Sequence, residues 1–493
     1  MSKMFDWIDE TLNNVSDASS SAKTSVVGNT KKLFDKFNGD SDNFEALVDE
    51  NPKKALKSMV IPAFFSLICL SLNGLIDSIF VSECGEVSLI GVGIIQSIFV
   101  IIVGFGAGLS VASNSSLSYA ISKYASRENA RKIVDNRIVL TLIIGILLSV
   151  ILILILKPLL FALNIYRPAI DPALTYGYIL FSGNVFFFFA AVMPAILKAE
   201  GEITKSTYAL ASTSLLNIIL DYILIHQLGY GVFGAAISTV VCSAICCCLL
   251  VYFMIRSKNI KLTLYGTFFG FDFSIMKRIF LDSLPVAFES IILSLFGFLA
   301  NIIFNLLNSP ADLAAFIASY KVYCFLIMPT IAIAEGNVTI IAYLFGKNNF
   351  ESMKKLLKYE LKIACLIAAG LWVIIFIFRE QITHLFIINN DMVAISALNF
   401  ALPILNVLLI IMPLGLISVS ILQGLQRYKE SFIISSLRSV VFEILLGFIA
   451  VFLFHDVFAV YIGIIVGGLL GCLLSLYKSQ RILNQEIKNV EKC

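Results

Sequence analysis

Charged side chains are scarce in this sequence. Asp, Glu, Lys and Arg together make up 14% of the 493 residues, whereas 59% are hydrophobic. An ordinary soluble domain carries about 25% charged residues, so the scarcity excludes that class and predicts a protein embedded in a membrane. The formal net charge of +3 is also too small to indicate a nucleic-acid partner.

Histidine is scarcer still, and the three that occur share no motif: His226, His384 and His455. Because no catalytic set converges on them, a membrane-embedded glycosyltransferase or acyltransferase is not expected, and we predict no catalytic residues. The stretch "CSAICCC" has no histidine partners that would complete a metal site, and cysteine in apolar runs acts as a small hydrophobe. We therefore expect no disulfide framework and no cofactor.

Apolar stretches long enough to cross a bilayer are, by contrast, frequent. About 20 residues are needed to cross ~30 Å of hydrocarbon. Twelve stretches meet this length: 56–81, 88–121, 133–158, 173–198, 204–227, 231–256, 276–307, 311–345, 355–379, 393–423, 431–454 and 457–478. The sequence therefore predicts an all-α polytopic membrane protein with twelve transmembrane helices.

Lys and Arg are concentrated in alternate connections between these stretches. "SKYASRENARKIVDNR" and "RSKNIKLT" are basic, whereas "SECGE" and "HQLGYG" contain neither residue. Basic connections stay on the cytosolic side of a membrane. We therefore predict a multi-pass protein of the cell membrane with both termini in the cytosol.

The domain boundaries follow from the spans and the polar stretches between them. The first fifty residues contain no apolar run, so no signal peptide is expected there. The predicted segments are a polar cytosolic tail at 1–52, an amino-terminal lobe with spans 1–6 at 53–256, a cytosolic linker at 257–275, a carboxy-terminal lobe with spans 7–12 at 276–478, and a cytosolic tail at 479–493.

Several motifs occur twice at nearly the same spacing. "YAISKYASRENARKI" begins at Tyr119 and resembles "YLFGKNNFESMKKLL" at Tyr343, an offset of 343 − 119 = 224. The stretches around Pro62 and Pro285 are also alike, with an offset of 285 − 62 = 223. An even number of spans in each half makes such a repeat parallel, which is typical of transporters. The spacing predicts two pseudo-symmetric six-helix lobes.

Two aspartates interrupt the apolar spans of the first half. Asp77 lies in span 1 and Asp221 in span 5, and each has an asparagine one turn earlier, Asn73 and Asn217. A charged carboxylate at mid-membrane costs about 2.5–3.5 kcal/mol, and this half offers no convincing embedded Lys or Arg partner. We therefore expect a site for Na⁺ or for a shared proton. The alternative is that each aspartate faces a water-filled cavity or caps a helix break.

The second half carries charges of both signs inside its spans. Glu289, Glu335, Glu443 and Lys321 define a candidate polar site of the carboxy-terminal lobe. Two interpretations stay open, namely that Lys321 pairs with one of the glutamates, or that these residues contact a substrate.

Proline provides a candidate hinge in span 1. Pro62 precedes Asp77 by 77 − 62 = 15 residues, about 22 Å along a helix. Proline removes a backbone hydrogen bond and creates a bend point. A bend that responds to the charge of Asp77 and a static kink are both compatible with this placement.

An ordered set of motifs resembles the multidrug and toxic compound extrusion (MATE) family over about residues 52–480. "IPAFFSLICLSLNGLIDSIFVS" is similar to the first span of the family, and "ILKAEGEITKSTYALASTSLLNIILDYILI" to its fourth-to-fifth connection and fifth span. "SYKVYCFLIMP" resembles a pattern of its eighth span. The resemblance implies a twelve-helix, two-lobe antiporter. Such proteins export organic cations, drugs or other amphiphiles by alternating access, against an inward gradient of Na⁺ or H⁺.

The resemblance also implies a cation-coupling site in the amino-terminal lobe. By motif, the residues that form this site in the family fall on Asp77, Asn217, Asp221, Thr239 and Tyr176, and Na⁺ would be bound by the first three. The stretch "IAEGNV" departs from the family because Glu335 stands where many members have small or amide residues. The fifty-residue leader is also longer than the family usually has.

A second hypothesis from the same superfamily is a flippase for lipid-linked oligosaccharides or polysaccharides. Such proteins use basic cavity residues for pyrophosphate, and Lys321 is the feature that favours this hypothesis. The acidic first half counts against it. The partners we expect are a cationic or amphiphilic small molecule and membrane lipid, with no nucleic acid, and we expect the protein to act as a monomer.

Overall fold

The computed structural model describes residues 44–123, 127–162, 167–256, 272–307, 309–386 and 392–491. Every regular element in these ranges is helical, which confirms the all-α class. Most of the predicted tail at 1–52 and of the predicted linker at 257–275 lies outside the described residues, so these two segments stay predictions.

The first lobe is built from the six helical spans that the apolar stretches predict. Their bounds are Pro52–Glu83, Glu86–Lys123, Arg127–Ala162, Ile170–Ser182 continued by Asn184–Ala199, Ile203–Asp221 continued by Tyr222–Gln227, and Gly231–Ile255. A short helix, Phe44–Glu50, precedes span 1. Asn51 caps span 1 by accepting a hydrogen bond of 3.2 Å from the Lys54 amide, and Pro52 suits the first turn because it needs no amide partner.

The second lobe repeats this order. Its bounds are Phe273–Asn305, Pro310–Leu326 continued by Met328–Gly346, Phe350–Ile377 followed by Arg379–Phe386, Met392–Leu405 continued by Leu408–Gly424, Tyr428–Ser436 continued by Leu437–Ile444 and Leu445–Phe454, and Val457–Glu491. Within the described residues, ten helices are long and apolar enough to cross a membrane, or eleven with the bent span 4. Phe273–Asn305, at 33 residues, is long enough to supply the twelfth.

The internal repeat is visible in where helices begin and break. Span 2 begins at Glu86 and span 8 at Pro310, an offset of 310 − 86 = 224. Span 4 bends by 50° at Gly183, and span 10 is interrupted around Val407, an offset of 407 − 183 = 224. The offset predicted from the motifs therefore recurs in the three-dimensional structure, and the two lobes are pseudo-symmetric.

The last helix extends beyond the predicted end of span 12. The sequence predicts a separate tail from residue 479, but the helix continues to Glu491. Arg427 Nε donates a hydrogen bond of 3.0 Å to Glu486 Oε1, so the extension is tied to the connection between spans 10 and 11. The polar end of the chain thus continues span 12 beyond its apolar part.

The two lobes meet on the side where span 1 begins and span 12 ends, called the terminus side below. Asn114 Nδ2 of span 2 donates to Thr339 Oγ1 of span 8 at 2.9 Å, and Ser115 Oγ donates to the Gln423 carbonyl at 2.6 Å. Span 2 approaches span 7 at Gly108, where an added Cβ would lie 2.5 Å from the Ala287 amide nitrogen. Glycine is needed there because the two backbones leave no room for a side chain.

Candidate functional site

Asp77 lies on span 1, far from the terminus side. It is 77 − 52 = 25 residues from the start of the span, about 37 Å along the helix. The side chain is buried, and Gln96 Nε2 of span 2 donates a hydrogen bond of 3.2 Å to Asp77 Oδ2. Among the described residues, the buried Oδ1 has no hydrogen-bond partner. One oxygen of the carboxylate is therefore available to a proton or a cation.

Asp221 is fully buried at the end of the α-helical part of span 5. The backbone continues as a π-helix over Tyr222–Gln227, a rare geometry that is frequent at functional sites. Ser238 Oγ of span 6 donates a hydrogen bond to Asp221 Oδ1, while Oδ2 has no hydrogen-bond partner within the described ranges. Asp221 thus presents a second free carboxylate oxygen.

The two asparagines connect the helices that carry the aspartates. Asn73 Nδ2 of span 1 donates a hydrogen bond of 2.8 Å to Asn217 Oδ1 of span 5. Asn73 Oδ1 and Asn217 Nδ2 find no further partner in the described part of the chain. The amide pair therefore fixes spans 1 and 5 side by side, one turn before the two acids.

Tyr176 and Thr239 complete the set that the sequence predicts. Tyr176 is buried on span 4, where it lies close to Gln96 and Thr239 and interacts electrostatically with Asp77 and Asp221. The charges of Asp77 and Asp221 also interact with each other. The structure thus brings all five predicted residues together from spans 1, 4, 5 and 6. Their role in binding an ion stays a prediction.

Two further residues belong to this cluster and were missing from the sequence prediction. Gln96 contacts Asp77 and Ser238 contacts Asp221, as described above. Gln96 was detectable, because it is the one amide in the apolar stretch "VGIIQSIFVIIVG". Ser238 was not, because serine is common in transmembrane helices as a packing residue.

A cation or a proton fits the side chains of this site. Within the described residues, neither aspartate forms an ion pair with Lys or Arg. Two free carboxylate oxygens and a free amide oxygen point to a hard cation or a proton as the missing partner. No cluster of three His, Cys, Asp or Glu side chains suited to a metal occurs in the described ranges. An Na⁺ site would therefore need amide and hydroxyl oxygens beside the two carboxylates.

The first half does contain one buried base among the described residues, but this base is not a partner of the aspartates. Arg137 of span 3 is almost fully buried. Its Nη2 donates to the Ala112 carbonyl at 3.1 Å and to Ser116 Oγ, and its Nη1 donates to the Ser113 carbonyl. This arginine therefore binds the backbone of span 2 near the terminus side, and it does not neutralise the aspartates.

A cavity of about 350 Å³ lies beside the aspartate pair inside the first lobe. Asn73, Asn217 and Thr239 form part of its wall, so the cavity borders the predicted cation site directly. Most of the remaining wall is apolar. It includes Phe99 and Phe187, whose ring centroids are 4.8 Å apart at an interplanar angle of 73°. The cavity can therefore hold an apolar or aromatic molecule close to the acids.

The predicted polar site of the second lobe is not one cluster. Lys321 is exposed and forms no ion pair with Glu289, Glu335 or Glu443, so the pairing hypothesis for Lys321 is wrong. Lys321 is exposed, whereas Glu289 and Glu443 are buried and Glu335 pairs with Lys198. Glu443 Oε1 lies 3.7 Å from Nε of Arg438, a buried arginine that the sequence prediction missed.

Glu289 and Glu335 have separate partners. Glu289 accepts hydrogen bonds from Ser431 Oγ at 2.9 Å and from Gln423 Nε2 at 3.3 Å. Glu335 of span 8 forms an ion pair of 2.6 Å with Lys198, which lies at the terminus-side end of span 4. The unusual glutamate of the "IAEGNV" stretch thus connects the two lobes.

We predict that breaking the Lys198–Glu335 pair favours the state in which the lobes separate on the terminus side. Because the pair is partly exposed, its contribution is about 0.2–1 kcal/mol, which corresponds to a population shift of about 1.5- to 5-fold. Spin labels at Lys132 and Lys355 would report the separation by pulsed electron resonance. Glu335→Gln should lengthen the mean distance, and the exchange Lys198→Glu with Glu335→Lys should restore it.

The matched control for this experiment is Lys205→Gln. It breaks an ion pair of the same length, 2.6 Å to Glu202, but within one lobe. If Lys205→Gln and Glu335→Gln change the distance distribution equally, the inter-lobe pair has no special role in closing the terminus side.

Residues 62–223 and 285–449 match the family model MatE, one segment in each lobe. The chain belongs to the MatE family. A probable multidrug resistance protein NorM of Thermotoga maritima is 24% identical to this MatE chain over 357 residues, which cover 70% of this chain and 75% of that protein. A multidrug export protein MepA of Staphylococcus saprophyticus is 21% identical over 395 residues, covering 79% and 85%.

A solved structure agrees with this assignment. It is the outward-facing conformation of a multidrug resistance MATE family transporter of the MOP superfamily, and it superposes on the MatE chain with a TM-score of 0.85 at 26% identity. The match covers 90% of this chain and 98% of that one. The family resemblance of the sequence motifs is therefore confirmed.

Proposed function

We propose that this MatE protein is a multidrug efflux transporter that exports cationic or amphiphilic small molecules in exchange for Na⁺ or H⁺. The relatives named above as multidrug resistance and export proteins support the substrate class. The single observation that carries the coupling is that two buried carboxylates, neither paired with Lys or Arg among the described residues, lie near each other beside an apolar cavity. The protein acts in the cell membrane as a monomer, with no cofactor beyond the coupling ion.

Coupling arises from the electrostatics of Asp77 and Asp221. Two carboxylates that share a buried site repel each other, and a proton or Na⁺ relieves both this repulsion and the cost of burial. The free oxygens Asp77 Oδ1 and Asp221 Oδ2 receive the ion, and Gln96 and Ser238 hold the other oxygens in place. Gain and loss of the ion therefore change the stability of this part of the lobe.

Substrate and ion compete because the cavity and the aspartate cluster have side chains in common. Asn217 and Thr239 border the cavity and also belong to the aspartate cluster. The hydrogen bond from Asn73 to Asn217 joins spans 1 and 5 across the same wall. A substrate that fills the cavity moves these side chains, and so alters the affinity of the aspartates for the ion. Linkage requires that ion binding lowers the affinity for the substrate by the same factor.

Alternating access then moves the two lobes relative to each other. In the present state, Asn114–Thr339 and Ser115–Gln423 hold the lobes together on the terminus side. With cytosolic termini, this arrangement corresponds to an outward-open form. Span 1 runs through Pro62 without a break in the helix, and Pro62 is the proposed hinge through which the charge of Asp77 changes the bend of the span.

The test is transport by purified protein in liposomes. A Na⁺ gradient and a pH gradient are imposed separately, and the movement of a fluorescent cationic dye is recorded. The gradient that couples should drive the dye in the opposite direction to the ion, and collapse of that gradient should stop it. Dye movement that is independent of both gradients would contradict the proposed antiport mechanism.

The flippase hypothesis is less well supported. It needs a basic cavity for pyrophosphate, but Lys321 is exposed and does not line the cavity of the first lobe. Movement of a lipid-linked sugar in the same liposomes, without any dependence on an ion gradient, is the result that would favour it.

A further inference from the structure

Two cysteines face the same cavity from span 6. Cys242 and Cys246 are one helical turn apart, both line the cavity, and both are buried, with 4% and 3% of their surface exposed. Their thiols are close enough to interact electrostatically. Neither forms a disulfide. The cavity therefore contains two reduced thiols next to each other.

The spacing of these thiols favours a bridging atom over a direct bond. Side chains four residues apart on a helix have Cβ atoms about 5–6 Å apart, whereas a disulfide needs a Cβ separation of about 3.5–4.5 Å. A single thiophilic atom between the two sulfurs fills this gap. Asn217 lies against Cys242 and Thr213 against Cys246, so polar groups of span 5 surround the thiols on the cavity side.

The other two cysteines of the "CSAICCC" stretch lie elsewhere. Cys247 Sγ donates to the Phe186 carbonyl at 3.1 Å, and Cys248 is exposed. Both line a separate apolar groove. The chain therefore supplies matched control thiols one or two residues from the pair.

We propose that Cys242 and Cys246 form a dithiol site for trivalent aryl arsenicals. Arsenic in ArAs(OH)₂ carries one aryl group and two exchangeable hydroxyls, which suits a site with two thiols. Asp221 also interacts electrostatically with Cys242, but no group of three His, Cys, Asp or Glu side chains placed to hold a metal ion occurs among the described residues. Phe99 and Phe187 on the cavity wall provide an aromatic surface for the aryl ring. The proposal goes beyond the transport of organic cations, because the ligand is held by bonds to sulfur.

The exchange needs no oxidant or reductant. Two S–H bonds and two As–OH bonds break, two As–S bonds form, and the two thiol protons leave with the hydroxyls as two water molecules. Arsenic stays trivalent and both sulfurs keep their oxidation state. A small dithiol added in excess reverses the exchange and removes the arsenical.

The binding test uses phenylarsine oxide, which hydrates to the dihydroxy form, and the purified full-length protein in detergent. Native mass spectrometry in the presence of excess glutathione should show one phenylarsenic adduct per chain, and 2,3-dimercaptopropanol should remove it. Cys242→Ser or Cys246→Ser should weaken binding by about 10²- to 10⁴-fold, because loss of one linked bond removes the chelate effect. Cys247→Ser and Cys248→Ser should bind as the unmodified chain does.

Two outcomes would overturn the proposal. One is an adduct that persists in the double variant Cys242→Ser with Cys246→Ser, and the other is an adduct that Cys247→Ser or Cys248→Ser removes. If a serine variant fails to fold, Cys242→Ala and Cys246→Ala provide the second pair, since alanine is tolerated inside apolar helices.

The consequence for transport rests on the proposed function and is measured separately. An arsenical in the cavity beside Asn217 should block dye movement of the unmodified protein in liposomes, and 2,3-dimercaptopropanol, which removes the arsenical, should restore the dye movement. Binding without a loss of dye movement supports the dithiol site and contradicts a transport route through this cavity. If the arsenical stops dye movement but does not bind to Cys242 and Cys246, the dithiol site is wrong and the proposed function is unaffected.

Discussion

Replacing Asp77 or Asp221 with asparagine should strongly reduce ion-driven transport and leave the fold intact. Either change removes one of the two carboxylates whose charges interact in the first lobe, while the amide keeps nearly the same shape. The remaining carboxylate then has no like charge beside it, so binding of a proton or Na⁺ no longer relieves a repulsion. We expect the gradient-dependent rate in liposomes to fall by about 5- to 150-fold, the range of a coupling free energy of 1–3 kcal/mol.

The same substitutions should not weaken the protein. A charged carboxylate inside a membrane costs about 2.5–3.5 kcal/mol, and neither aspartate has an ion-pair partner among the described residues that would offset this cost. Asp221→Asn should therefore melt at the same temperature as the unmodified chain or at a higher one. A substitution that lowers activity but keeps or raises stability identifies a functional acid. Substitution of a structural acid would lower both activity and stability.

The control is Asp171→Asn, which removes an exposed carboxylate at the end of span 4 away from the terminus side, five residues before Tyr176. It should leave both transport and the melting temperature unchanged. If Asp77→Asn and Asp221→Asn both transport at the full gradient-dependent rate, the coupling site does not lie in the aspartate pair.

The amino-terminal site could be predicted from sequence because its signals are local. An aspartate with an asparagine one turn earlier, placed in an otherwise apolar run, is visible in both "NGLID" and "NIILD". The cost of a buried charge then requires a partner for each aspartate, and two such segments in one half indicate a common site. The repeat also predicted that the helices of the two halves correspond, and the breaks at Gly183 and around Val407 follow that offset.

The charges of the second lobe could not be assigned in this way. Lys198 and Glu335 are 137 residues apart, and nothing in either stretch indicates that spans 4 and 8 approach each other on the terminus side. A pairing of Lys321 with one of the glutamates was one of two open interpretations, and it rested only on their being in the same half of the chain. Which face of span 8 turns inward depends on packing between helices, and the uniformly apolar sequence leaves that rotation open.

Arg438 is expected to be the side chain of the second lobe whose loss destabilises the protein most. It is 1% exposed and lies near Glu443 and Glu289, which are both buried. Gly415 and Gly471 make room for it, since an added Cβ at Gly415 would lie 2.5 Å from Arg438 Nη1 and one at Gly471 would lie 2.6 Å from Arg438 Cγ. These two glycines therefore leave the space that the Arg438 side chain occupies.

Arg438→Ala leaves the buried carboxylates of Glu443 and Glu289 without a base among the described residues. It also leaves a cavity where the arginine side chain was. Breaking a buried ion pair from one side costs about 3–5 kcal/mol, so the variant should show a much lower melting temperature or a loss of folded protein on purification. Arg438→Met with Glu443→Gln keeps the volume and removes the uncompensated charge, and it should recover most of the loss. If Arg438→Ala alone melts like the unmodified chain, the guanidinium does not neutralise these acids, and Glu443 and Glu289 are protonated without it.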